Sequence, residues 1–315
     1  MVNLIKNSRV VITGGAGFIG SNLAYELSDD NDIVIIDDLS TGSIDNVAGL
    51  VGKNNVTLIK GSILDLRLLE TSLKRTEYVF HLAAIASVPR SIVDPLPTNE
   101  VNITGTLNVL TAAKKNGIKK VIYASSSSVY GDTPTLPKTE DMQPNSQSPY
   151  ALTKLVGEYY CRIFYEVYDI PTICLRYFNV YGPRQNPDSE YAAVIPSFIS
   201  RVSRNEQPII YGDGSQTRDF TYVRDVVRAN IIAAKSDATG VYNIGSGGNV
   251  TINELAELIS YILNRDVKPI YEKPRAGDVL HSLADITLAR TVGYEPQYSL
   301  VDGLRETING VIDAS

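Results

Sequence analysis

Three glycines decide most of what this 315-residue chain can fold into. Gly14, Gly17 and Gly20 follow a short apolar run, Arg9-Val-Val-Ile-Thr13, and lead into a stretch with helical apolar spacing at 21–27. A second apolar run, Ile33-Val-Ile-Ile36, ends in Asp37-Asp38. Strand, glycine turn, helix and strand make a βαβ unit whose turn lets backbone approach a diphosphate at the helix N-terminus. Asp37 lies 17 residues beyond Gly20, where a carboxylate takes up two ribose hydroxyls. The same charge repels a 2′-phosphate, so NAD is expected rather than NADP. A plain tight turn beside a solvated acid is the bland alternative, and the strand–helix–strand setting argues against it.

The alternation continues down the chain. Segments 56–60, 78–81, 119–125 and 173–177 read as strands, and 65–73, 98–115 and 147–168 as helices. That spacing predicts an α/β fold with a doubly wound parallel Rossmann sheet. Lys119-Lys120 reads as a solvated strand start, 241–244 as a strand returning to the main sheet, and Asn102, on the 98–115 helix, as a polar residue placed to help hold the catalytic end of the sheet. Beyond Asn179 the pattern becomes irregular, as expected of a smaller C-terminal substrate-binding lobe. The expected division is 1–176 plus about 221–246 for the dinucleotide domain, and 177–220 with 247–315 for the lobe.

In such sheets ligands sit beyond the carboxyl ends of the strands. The serine run Ser125-Ser126-Ser127-Ser128 falls there, directly after Val121-Ile-Tyr-Ala124. Tyr150 and Lys154 are four apart and share one helix face. A phenol beside a fixed ammonium ionises more readily, and a serine hydroxyl can hydrogen-bond the reacting oxygen. The three together form a proton-transfer device. Arg218 and Arg275, in loops, read either as a clamp on a second phosphate-bearing ligand or as surface ion-pair partners.

Composition narrows the partners. A net charge of −6 argues against nucleic acid, and two Cys with two His argue against a disulfide framework or a metal site. The N-terminus lacks a signal-peptide pattern and no 18-residue apolar stretch occurs, so a cytoplasmic protein without membrane spans is expected.

Several motifs together carry a family resemblance: Thr13-Gly-Gly-Ala-Gly-Phe-Ile-Gly20, the serine run before Val129-Tyr-Gly131, Tyr150-x-x-x-Lys154, Leu175-Arg-Tyr-Phe-Asn-Val-Tyr-Gly-Pro-Arg184 and Arg218-Asp-Phe-x-Tyr-Val223. The chain resembles the extended short-chain dehydrogenase/reductase family, and within it nucleotide-sugar 4-epimerases that hold NAD tightly and act on UDP-sugars. The resemblance implies that Tyr150 is the base at the sugar 4-hydroxyl and that Ser126 bonds the 4-oxygen. It also implies that Lys154 grips the nicotinamide ribose and lowers the Tyr150 pKa. The implied cofactor contacts are Gly14, Gly17, Phe18, Ile19, Asp37, Asp38, Ser62, Ile63, Leu82, Ala83, Ala84, Asn102, Ser125, Tyr150, Lys154 and Tyr177. The implied substrate contacts are Ser126, Ser127, Ser128, Asn179, Ala193, Val194, Ile209, Tyr211, Arg218, Arg275, Asp278 and Ser282. A homodimer through the helices near 98–115 and 147–168 is implied as well.

The resemblance also separates relatives. Sugar dehydratases usually carry Asp-Glu where this chain has Ser127-Ser128, and UDP-glucuronate decarboxylases a Glu at Ser128. Neither carboxylate is present, which removes the acid–base group for elimination or decarboxylation. Ser282 stands where glucose/galactose-restricted epimerases have a bulky Tyr, leaving room for an N-acetyl group. UDP-GlcNAc/UDP-GalNAc is therefore expected to react at least as well as UDP-Glc/UDP-Gal. The runner-up is a uronate 4-epimerase, with Ser127, Ser128 or Arg184 facing the C6 carboxylate. Asp37 speaks against an NADPH-consuming reductase, and the intact Tyr–Lys pair against a catalytically silent scaffold.

Overall fold

The computed structural model describes residues 5–186, 193–274 and 279–312. Short apolar runs punctuated by turns form strands, and the longer amphipathic segments between them form helices. In chain order these are β1 Arg9–Thr13, α1 Phe18–Leu27, β2 Asp32–Asp37, β3 Val56–Lys60, α2 Leu66–Ser72 and β4 Tyr78–His81. Next come α3 Val88–Val93, α4 Pro95–Asn99, α5 Gly105–Asn116, β5 Lys120–Ser126, α6 Pro149–Tyr168 and β6 Thr172–Tyr177. A π-helical turn, Glu100–Thr104, joins α4 to α5, so the single helix expected over 98–115 is a composite.

The second half contains β7 Val180–Tyr181, α7 Val194–Ser203, β8 Ile209–Tyr211, β9 Thr217–Arg218, β10 Thr221–Tyr222 and α8 Val223–Lys235. It closes with β11 Gly240–Ile244, β12 Val250–Thr251, α9 Ile252–Ile262, β13 Ile270–Glu272, α10 Thr287–Thr291 and α11 Leu300–Ile312.

Seven strands form one parallel sheet in the order β11-β6-β5-β4-β1-β2-β3. Its inner strands are buried on both faces, as helix-covered parallel sheets require. The strand order reverses between β1 and β4, the switch point where such sheets open a crevice. The returning strand at 241–244 is β11, beside β6.

Two apolar clusters cover the two faces of the sheet. A third, built on Phe198, Ile199, Leu255, Ile259 and Leu304, belongs to the C-terminal elements. The expected division needs one adjustment. Ala284, Ile286, Ala289 and Tyr294 pack into the sheet's own core, and the Tyr294 hydroxyl donates to Gly245 O at the end of β11.

Lys120 departs from the expected solvated strand start. It is buried, and its ammonium donates to the carbonyls of Ser236 and Ala238 just beyond α8. Burial lowers its pKa to about 8. The exposed residue of the pair is Lys119. Among the described residues no helix is long and apolar enough to cross a membrane.

Candidate active site

The turn after β1 is tight for a steric reason. A Cβ on Gly20 would lie 2.2 Å from Gly14 O, and one on Gly14, at φ +71°, would lie 2.7 Å from Ala83. Only glycine permits this approach of α1 to the strand end. Gly17 caps α1 without any side-chain hydrogen bond, so the first N–H groups of that helix are left to a ligand. Gly14, Gly17, Phe18 and Ile19 line the cleft above the turn.

Asp37 closes the far end of that cleft. Its carboxylate accepts from Ala16 N (2.9 Å) and Leu39 N (2.8 Å), which fixes it at the tip of β2. Burial raises its pKa, and those backbone bonds oppose the rise. Each oxygen keeps a further lone pair for a hydroxyl donor. Asp38 also lines the cleft, though its own carboxylate accepts from Ser40 N. Ile63, Leu82, Ala83, Ala84, Ser125, Tyr150, Lys154 and Tyr177 complete the expected wall. The residues present therefore fit NAD: a glycine turn at a free helix end, an acid at the second strand and a lysine at the opposite wall.

Two expected cofactor contacts lie elsewhere. Ser62 is not in the cleft wall, and its hydroxyl accepts from Leu64 N. Asn102 sits in the π-helical turn and is buried behind the cleft. Its amide accepts from Ile85 N (2.8 Å) and donates to Ile85 O (3.2 Å) and Thr153 Oγ1 (3.0 Å). It holds the wall at Ile85 to the catalytic helix, and all three bonds are internal. Sequence reading missed Ser40, Thr41, Ile85 and Val101, which line the cleft. None carries a motif signal, because loop and helix geometry alone brings them there.

The catalytic group is assembled at the end of β5. Ser148 caps α6 by accepting from Ala151 N, and Pro149 occupies the first turn. This starts the helix so that Tyr150 and Lys154 face the strand. The Lys154 ammonium donates to Ala124 O (2.8 Å) and lies 5.1 Å above the Tyr123 ring. Burial lowers its pKa to about 8. Ser126 caps a short 3-10 turn, Ser127–Tyr130, accepting from Ser128 N and from the Ser128 hydroxyl (2.9 Å).

One electrostatic expectation is corrected. The Tyr150 pKa is raised, because desolvation outweighs everything else acting on it. The group that pulls it back down is Ser126, through a hydrogen bond; Lys154 makes no resolved contribution. The lysine's ammonium is spent on Ala124 O.

A second cavity opens on the C-terminal side. Asn179, Ala193, Val194, Ile209, Tyr211 and Arg218 all line it, together with Phe198, Gln216 and Phe220. Arg275 and Asp278 fall outside the described residues. Ser282 is not in the cavity wall but behind it. Its hydroxyl accepts from Asn179 Nδ2 (3.1 Å) and Asp219 N (3.4 Å). Asn179 Nδ2 also donates to Asp219 O, so both of its protons are spent on the frame. Arg184 stacks on the Tyr25 ring (4.2 Å) and donates to Asn22 Oδ1 (2.9 Å).

A Rossmann sheet with this cleft and a Tyr–Lys pair at its edge defines a nicotinamide-dependent enzyme of the short-chain dehydrogenase/reductase type. The chain belongs to the NAD dependent epimerase/dehydratase family, whose model matches residues 10–245. It is similar to UDP-N-acetylglucosamine 4-epimerase from Methanobrevibacter ruminantium, solved in complex with UDP-N-acetylmuramic acid. The two are 46% identical with a TM-score of 0.96, over 99% of this chain and 100% of that one. It is 39% identical over 303 residues to a putative UDP-glucose 4-epimerase of Methanocaldococcus jannaschii, covering 95% of this chain and 97% of the relative. UDP-glucuronic acid 4-epimerase from Bacillus cereus, solved with UDP-glucuronic acid and NAD, is 33% identical with a TM-score of 0.91, covering 98% of this chain and 100% of that one.

Proposed function

We propose that this NAD-dependent UDP-sugar 4-epimerase interconverts UDP-GlcNAc and UDP-GalNAc, with UDP-Glc and UDP-Gal as further substrates. The observation that carries the epimerase reading is the turn after Ser126, where Ser127 and Ser128 bring hydroxyls and no carboxylate. With no acid–base group for elimination or loss of CO2, the oxidised sugar's remaining course is to be reduced again.

Tyr150 accepts the proton of the sugar 4-hydroxyl as hydride leaves C4, and Ser126 hydrogen-bonds the same oxygen. NAD, held by the glycine turn, Asp37 and Lys154, would supply a reversible hydride acceptor for the sugar C4. Tyr150 then gives the proton back. Lys154 holds the nicotinamide ribose, and Arg218 with Asn179 holds the nucleotide-sugar.

The N-acetyl preference is supported by the likeness to the Methanobrevibacter enzyme; Ser282, which does not line the cavity, bears on it only through Asn179, the lining residue it holds. The fixed position of Arg184 speaks against a uronate substrate, because its guanidinium is committed to Tyr25 and Asn22. The test is kcat/KM on both sugar pairs. A large preference for the non-acetylated pair overturns the assignment, and Ser282→Tyr should abolish the acetylated activity selectively by pushing Asn179 into the cavity.

We read the enzyme as a homodimer. Val93 (78% exposed) and Leu96 (76%) lie just ahead of α5, and Leu152 (52%) and Tyr159 (46%) on α6, an apolar face that a second copy would cover. Sedimentation should give twice the chain mass.

A further inference from the structure

Tyr150, Lys154 and Glu158 follow one another at four-residue spacing on the sheet-facing side of α6. The third member of this row has no place in the mechanism above. Glu158 is buried and held by a two-point ion pair: Arg176 Nε donates to Oε1 (2.8 Å) and Arg176 Nη2 to Oε2 (2.7 Å). Both side chains are under 5% exposed. The Ser125 hydroxyl donates to Oε1 as well.

Arg176 is paired in register with Ser125 across β5 and β6, and its guanidinium stacks 4.7 Å from the Tyr130 ring. One carboxylate thus joins the catalytic helix, the strand end bearing Ser126, the neighbouring strand and the turn after the serine run. Buried ion pairs seldom add net stability, since an apolar replacement of both partners is often neutral or better. A pair in this place is better explained by what it aligns.

We propose that Glu158, fixed by Arg176, is a positioning residue of the epimerase: it locks Ser125, and through it the approach of Ser126 to Tyr150, and supplies the buried negative charge that faces Lys154. The proposal rests on the 4-epimerase reading but not on which sugar is used. Lys154 is faced by His81 from β4, Tyr123 from β5, and Cys161 and Glu158 on its own helix. Burial, the largest influence, disfavours its protonated form, and Cys161 and then Glu158 favour it. Removing the carboxylate therefore moves loss of the lysine proton to lower pH.

The experiment compares wild type with Glu158→Gln/Arg176→Met, which leaves no unpaired buried charge. NAD loading and melting are checked first, and kcat is then measured from pH 6 to 10 with UDP-GlcNAc and UDP-Gal. The expected result is a folded, NAD-loaded protein with kcat down about tenfold, KM within about twofold, and the alkaline limb moved about one pH unit toward acid. An unchanged kcat and limb in that protein overturn the proposal. Should the double variant not fold, Ser125→Ala breaks the contact from the strand side and leaves the ion pair intact. It should lower kcat about threefold or more without moving the limb, and a wild-type kcat there also overturns the proposal. A wild type inactive on both sugars overturns the substrate assignment instead, and the same comparison of kcat and limb is then read with UDP-glucuronic acid.

Discussion

The cofactor edge of the sheet and the C-terminal cavity are built differently. At the cofactor edge each working group sits at the end of a long element and is held by internal bonds: Asp37 by two backbone N–H groups, Lys154 by Ala124 O, Tyr150 by its place in a 20-residue helix. In the cavity the lining residues come from the first turns of α7, from loops and from strands of two or three residues, β7, β8 and β9. Rigid elements fix the chemistry, and short ones present the sugar. Damage to the first region should affect every substrate alike, whereas damage to the second should change affinity and choice.

Tyr150→Phe tests the first half most severely. It removes the only phenol in the catalytic group and keeps the ring, so kcat should fall by about 10²–10⁴-fold on every UDP-sugar, with NAD still bound. A loss confined to one sugar would break the contrast. Gly20→Ala comes next. The added methyl meets Gly14 O, and overpacking of this kind costs about 1–3 kcal/mol. The purified protein should melt lower and lose its bound-NAD absorbance. Arg218→Met, on the cavity side, should raise KM about 10–100-fold, as expected for a lost charged hydrogen bond, with kcat and NAD content near wild type.

The smallest effect is a pH slope from the core beneath the cleft. His81 is buried between Thr13 Oγ1 (2.8 Å) and Thr106 Oγ1 (2.9 Å). Burial, helped by the Lys154 charge, lowers its pKa from 6.5 to about 3. The unfolded chain therefore takes up the proton first, and stability falls as pH drops from about 6.5 toward 3. Urea titrations should show a loss of about 2 kcal/mol from this group between pH 7 and 5. His81→Gln should flatten that part of the profile.

Sequence periodicity carried the sheet well. The predicted strands at 9–13 and 78–81 coincide with β1 and β4, because buried parallel strands are apolar runs bounded by turns, and 56–60 coincides with β3, an edge strand in which an exposed Thr57 separates the half-buried Val56 and Leu58. Gly14, Gly20, Asp37, Tyr150 and Lys154 were legible because each answers a local requirement of a turn, a strand tip or a helix face. What failed depends on distant chain. The burial of Lys120 requires the carbonyls of Ser236 and Ala238. For Asn102 it is the implied cofactor contact that fails, since a π-helical turn aims its amide at Ile85, in keeping with its reading as a residue that holds the catalytic end of the sheet. The rise in the Tyr150 pKa is set by enclosure, which spacing within one helix does not express. Glu158 was within reach, since it extends the Tyr–Lys spacing by one more turn.

Helices α7, α9 and α11 pack around their own apolar cluster, against which Phe18 and Ile19, at the start of α1, are laid. This gives the enzyme a form of modularity. Mutational drift around Phe198, Leu255 or Ile259 can reshape the sugar cavity without disturbing the packing beneath Tyr150. Selection can then retune which nucleotide-sugar is taken while the hydride machinery is inherited unaltered.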